Sequence, residues 1–192
     1  MATSQHLDRL ADHAEDVASA LQHLREPTSS DAASITEAVG NLFGVSTVLQ
    51  RLASVQDNPR YEHSLHRIQR DTRLVYRSLR YTLEVALVVI RHSRESAQSM
   101  VWGDLVHRMS GMERVGFSER LRWYRDLIQA LLNQLDGESG SSVAKLREDV
   151  QRLLESQDSV NLVGPAIRHV EYGKWTIQGP TRRVLCKLVQ LF

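Results

Sequence analysis

Cysteine is almost absent: Cys186 stands alone among 192 residues. That excludes an intrachain disulfide framework and, with no Asn-x-Ser/Thr sequon in the chain, predicts a reducing, cytoplasmic setting. Long apolar runs are missing as well. The longest, Val85 to Ile90, falls far short of the roughly 20 residues that span a bilayer, so no transmembrane helix is expected. The first helical pattern contains His6, Asp8, Arg9, Asp12 and Asp16 and so lacks the apolar stretch of a secretory signal. Charge of one sign is lacking too: 24 Lys plus Arg against 23 Asp plus Glu leave a net +1. No global field draws the chain toward nucleic acid or an anionic membrane.

The motifs that dictate chemistry are equally scarce. No Gly-x-Gly-x-x-Gly and no Gly-x-x-x-x-Gly-Lys-Ser/Thr occurs, so the phosphate cradles of those two nucleotide-binding modes are missing. Ser139, in Gly-Glu-Ser-Gly, misses the Gly-x-Ser-x-Gly elbow and sits between helices rather than after a strand. His63 and His66 have the i, i+3 spacing of two ligands on one helix, but zinc needs a third and usually a fourth. On a helical wheel His66 lies nearly opposite Ile68, Val75 and Leu79, the placement of a solvated histidine. The paired Glu-x-x-His of a di-metal bundle is absent, with Asp104 and His107 the nearest approach. Cys186 has Arg182, Arg183 and Lys187 nearby, which would lower its pKa only if the tail held them close. No cofactor or metal is implied, and the chain reads as a non-enzyme.

What is present is an apolar repeat spaced alternately three and four residues apart. Leu7, Leu10, Ala14, Val17, Leu21 and Leu24 carry it first, and such spacing keeps one stripe of each helix against a partner. A first helix is predicted over residues 4–25, ending before Pro27. A second starts at the capping-box pair Ser34 and Glu37, with Ile35, Val39, Leu42, Phe43, Leu49 and Leu52 on its apolar face. Gly40 and Gly44 weaken it, and close packing of another backbone or a bend would account for them. Asn58 and Pro59 suit the start of the third and longest helix, whose stripe runs from Tyr61 through Leu65, Ile68, Thr72, Val75, Leu79, Thr82 and Ala86 to Val89. Ala97, Val101, Leu105, Met109 and Met112 mark a fourth. Phe117, Leu121, Tyr124, Ile128, Leu131 and Leu135 mark a fifth, opening at Ser118. Val143, Leu146, Val150 and Leu153 mark a short sixth ending near Gln157.

The expected fold is therefore all-α: an elongated antiparallel bundle of five to six helices over residues 1–157, with residues 158–192 as a C-terminal appendage. In that appendage 169–172 and 175–178 flank Gly173-Lys174, a two-residue hairpin geometry, and 181–192 could add an amphipathic turn.

One charge pattern stands out. Arg67, Arg70, Arg73, Arg77 and Arg80 point about 150° away from the apolar stripe of the third helix. A solvated face is the plain reading, an acidic protein partner the first functional one, and nucleic acid or anionic lipid the last, since no recognition module or stacking aromatics accompany the arginines. Past Arg80 the helix changes character, because Val85, Ala86, Leu87, Val88, Val89 and Ile90 cover every direction around the axis. The fourth helix or the tail packing there is the simpler explanation, and an oligomer interface through Val85, Leu87 and Val88 the sharper one.

The segments LDRLADHAEDVASAL, SITEAVGNLFGVSTVLQRL, NPRYEHSLHRIQRDTRLVYRSLRYTLEV and SERLRWYRDLIQALLNQL resemble the helical N-terminal region of a group of filamentous-fungal proteins of unassigned function. The likeness covers about residues 5–157. It extends more distantly to the helical N-terminal domains of fungal NLR-like signalling proteins, some of which mediate self-association or cell death. The resemblance implies a helical bundle and carries no catalytic or ligand-binding residue over to this chain. In that group a long proline-rich extension follows the helices, and this chain departs from the pattern after Asp158. Together these readings favour a protein-interaction or assembly module with a protein partner or a second copy, with no nucleic acid expected. A membrane-active, self-assembling domain of the cell-death type is the alternative, disfavoured by the charges on the first helix.

Overall fold

A computed structural model describes residues 4–24, 30–92, 98–110, 115–137 and 143–163. Over these residues the chain is 93% helical with no strand, so the all-α reading holds. Six α-helices appear in chain order: α1 (Ser4–His23), α2 (Ala32–Gln56), α3 (Glu62–His92), α4 (Gln98–Ser110), α5 (Phe117–Leu135) and α6 (Val143–Val163). The chain divides into two units, 1–154 and 155–192. The first holds α1 to α5 and the beginning of α6, and residues 155–163 are the described part of the second.

Inside the first unit four helices close a ring in which α1 touches α2, α2 touches α5, α5 touches α3 and α3 returns to α1. Their directions follow from side-chain pairs. Asn41 meets Ser118 and Arg51 meets Asp136, so α2 and α5 run the same way. Tyr61 meets Asp136 while Ser78 and Thr82 meet Tyr124, so α3 opposes α5. The His6 ring lies edge-on to Tyr76 at 6.1 Å, with His13 further along beside Arg80 and Arg91, so α1 and α3 are parallel neighbours. Consecutive helices α2 and α3 thus stand across the ring from each other. α4 packs against α3 and α5.

The interior is filled by the predicted stripes. Leu7, Leu21, Leu42, Leu49, Leu79, Leu121, Ile128 and Leu131 are each at most 1% exposed. Truncating any of them to Ala would cost about 2–5 kcal/mol from lost transfer energy and an unfilled hole. Phe43 is the exception: at the rim of the α2 stripe, it remains 40% exposed.

Helix ends depart from expectation where a nearer backbone partner exists. Asp31, not Ser34, caps α2: its carbonyl accepts the Ile35 N–H at 2.9 Å, starting the helix before the capping box could act. Asn58 does cap, accepting the Arg60 N–H at 3.0 Å, but what it opens is a single 3-10 turn, Pro59–Tyr61, ahead of α3. α5 begins one residue early at Phe117 and closes on Gly137, whose φ of +90° supplies the left-handed residue that commonly follows a helix. α6 continues past Gln157 to Val163 because nothing between them breaks a helix, and the next breaker is Gly164-Pro165. It therefore crosses the expected boundary at residue 158. Ala97, Met112, Ser139, the appendage hairpin, the terminal turn and Cys186 lie outside the described residues.

The two α2 glycines have different explanations. At Gly44 an added Cβ would stand 3.0 Å from Arg125 Cδ, so a neighbouring side chain, rather than a backbone, crosses the helix there. Gly40 faces open space, with nothing within 4 Å of such a Cβ. Gly40→Ala should therefore collect the helix-propensity gain without a clash, raising stability by about 0.5–1 kcal/mol in urea denaturation, whereas Gly44→Ala should gain less because Arg125 must move.

Candidate functional site

α3 positions the interaction candidates that the sequence singled out. Its inward stripe is committed to the core, so its outward face can carry charge without desolvation. Arg67, Arg70, Arg73 and Arg77 are all exposed along that face, and His63 and His66 are exposed beside them. Arg80 behaves differently. Its Nε donates to Glu84 Oε1 at 2.8 Å, folding the guanidinium back along the helix. Glu84 is itself half-buried, and burial lifts its carboxyl pKa above the ordinary value while Arg80 pulls it down. The ridge thus has four exposed arginines, with Arg80 folded back on Glu84 at its upper end.

The apolar end of the same helix is largely covered within the chain. Ala86, Leu87, Val89 and Ile90 are between 0 and 8% exposed, and α4 packs against α3. Leu87 therefore belongs to the core and is not available as a contact residue, while Val85 packs partly buried against that core and Val88 is half-buried. This end of the helix is thus mostly buried within the chain itself.

Three polar groups that the sequence did not flag as a cluster meet in the centre. Ser78 Oγ and Thr82 Oγ1 lie 2.8 and 2.9 Å from the Tyr124 hydroxyl, and Thr82 donates to the Ser78 carbonyl at 3.0 Å. All three residues are fully buried. One ordering satisfies every hydroxyl: Ser78 donates to Tyr124, Tyr124 to Thr82, and Thr82 to the Ser78 carbonyl. The only hint in the sequence was Thr82 and Tyr124 interrupting otherwise apolar stripes.

A second missed pairing fastens α6. Arg147 Nε and Nη2 donate to the two oxygens of Asp71 at 2.7 and 2.5 Å, a bidentate pair on a carboxylate only 3% exposed. A third ties the end of α4 to the start of α5: the buried Arg120 donates to the Met109 and Val115 carbonyls. Among the described residues no group of three or more His, Cys, Asp or Glu is arranged to hold a metal ion. Asp104 and His107 are both exposed on α4.

α2 bears on the expectation of no transmembrane helix. By length and composition it is the one helix among the described residues long and apolar enough to cross a membrane. A search for uninterrupted apolar runs overlooked it because Asn41, Ser46, Thr47 and Gln50 divide its apolar residues without adding charge. Its stripe is nevertheless buried, and α2 packs against α1 and α5.

Comparison with protein-family models, with curated proteins and with solved structures finds no match for this chain.

His13 gives the site region a pH dependence. Half-buried between α1 and α3, its imidazole is held down to a pKa of about 4, chiefly by burial and then by the nearby cations Arg80 and Arg91. The unfolded chain, with an ordinary value near 6.5, binds the proton first. Stability should therefore fall as pH drops from about 6.5 toward 4. Chemical denaturation across this range should show a shallower pH slope for His13→Gln than for the unaltered chain.

Proposed function

We propose that this chain is a non-enzymatic helical interaction module that docks an acidic protein surface on the α3 ridge of Arg67, Arg70, Arg73 and Arg77. The observation that carries this reading is the division of labour on one helix. Its inner stripe is sealed in the core, while four guanidinium groups stand exposed along a single outer face. Arginine suits such a surface because its planar fork pairs bidentately with carboxylates, and its weaker hydration lowers the cost of contact. The interior supports the same reading, since Ser78, Thr82 and Tyr124 are buried and hydrogen-bonded to one another. The resemblance of residues 5–157 to helical regions of fungal proteins is in keeping with an assembly role in a cytoplasmic setting.

One observation favours a second reading, membrane-active self-assembly: the apolar character of α2. Insertion would require α2 to leave both α1 and α5 and to surrender the bonds of Asn41 and Ser46, a cost that the ridge reading avoids. Leakage from anionic liposomes at micromolar protein would favour insertion.

The ridge reading is tested with a labelled helical peptide rich in Asp and Glu. Fluorescence anisotropy at low salt should show binding that weakens by about tenfold or more in R67E/R70E/R73E/R77E, whose circular dichroism stays helical. Equal binding by the folded variant would contradict it.

A further inference from the structure

The ridge has a complement on this same chain. α1 carries Asp8, Asp12 and Asp16 at i, i+4 and i+8, all exposed, and on the wheel they point about 180° away from the buried Leu7, Leu10, Ala14, Val17 and Leu21. Arg9 shares this face, so the stripe carries three negative charges against one positive. Its span from Asp8 to Asp16 is about 12 Å, and the ridge from Arg67 to Arg77 is about 15 Å, at 1.5 Å per residue. Most of both surfaces is unpaired at home: among the described residues Asp8, Asp12, Asp16, Arg67, Arg70 and Arg73 form no ion pair, while Arg77 has a partner within the chain. Both stripes face outward from neighbouring helices of one ring, so a copy cannot close its own stripe onto its own ridge.

We infer that the acidic protein surface recognised by the α3 ridge is the α1 face of a second copy of this chain. This deepens the ridge reading and rests on it. Because the two complementary surfaces sit on different helices, the contact is heterologous: each copy offers a stripe to one neighbour and a ridge to another, which builds rings or filaments. The near-zero net charge of the whole chain, +1, removes the long-range repulsion that would oppose stacking. Exposed ion pairs are individually weak and screened by salt, so the association is weak and salt-sensitive.

The test is sedimentation velocity of the full chain over a concentration series, together with two charge-reversed variants, D8K/D12K/D16K and R67E/R70E/R73E. The unaltered chain should show a weight-average mass that rises with concentration at about 25 mM NaCl and returns to the monomer near about 500 mM. Each variant alone should stay monomeric. Their equimolar mixture should associate again, because the Lys stripe then meets the Glu ridge and the native stripe meets the native ridge. A chain that stays monomeric at low salt, or a mixture that fails to recover association, overturns self-docking. Should the variants not fold, a salt-independent mass of the unaltered chain does the same. Retained binding of the acidic peptide in that event leaves the ridge reading standing, whereas loss of both removes it.

Discussion

The structure depends on one constraint: every helix must bury a stripe about three residues in seven wide, and four such stripes close on a common centre. Once α1, α2, α3 and α5 have met this demand, each has a single free direction, outward. That geometry decides what the protein has to work with. Its interior is filled with aliphatic side chains around the Tyr124 hydroxyl, and its chemically distinctive groups are pushed to the perimeter. The arginines of α3 and the aspartates of α1 are perimeter groups for the same reason, since each stands across its helix from a core stripe.

Most polar groups that enter the interior are partnered, the buried Thr72 hydroxyl being an exception among the described residues. Burying a hydroxyl without a partner costs on the order of 1–3 kcal/mol. Ser78, Thr82 and Tyr124 avoid that cost by bonding together, and Asp71 avoids a larger one by taking both donors of Arg147. These contacts also carry positional information. An apolar stripe tolerates sliding along its neighbour, whereas the Tyr124 hydroxyl meets Ser78 and Thr82 at one register only. The same holds for Asn41, which donates to the Ser118 carbonyl at 3.3 Å and accepts from Arg125 at the same distance, aligning α2 with α5. Polar contacts of this kind specify an alignment that hydrophobic burial leaves loose.

Local signals carried most of the architecture. Three-four spacing located all six helices, and Asn58-Pro59 marked where α3 would be prepared, because both depend on residues close in the chain. Signals failed where the deciding partner was distant or where two local cues competed. Ser34 and Glu37 have the spacing of a capping box, yet Asp31 starts the helix a turn sooner. The change of composition after Asp158 suggested an end, yet α6 runs on at least to Val163, just ahead of the helix-breaking pair Gly164-Pro165 in the sequence. Gly44 could not be explained from α2 alone, since Arg125 lies 81 residues away in sequence. Of the candidate site, the exposure of Arg67, Arg70, Arg73 and Arg77 was legible from the wheel and the Arg80–Glu84 pair lay at the local i, i+4 spacing, whereas the cover over Leu87 needed neighbours to be in place.

The central claim is that the Ser78, Thr82 and Tyr124 hydroxyls are sealed in the core and satisfy one another, leaving function to the outer faces. A double-mutant cycle on Tyr124→Phe and Thr82→Val, read by urea denaturation, tests it most directly. If the hydroxyls satisfy each other in a dry core, each single change costs about 1–3 kcal/mol and the double change costs clearly less than their sum, because the orphaned partner is removed too. Strictly additive and near-zero costs would mean that water reaches Tyr124, and the interior would then be an open site rather than a seam.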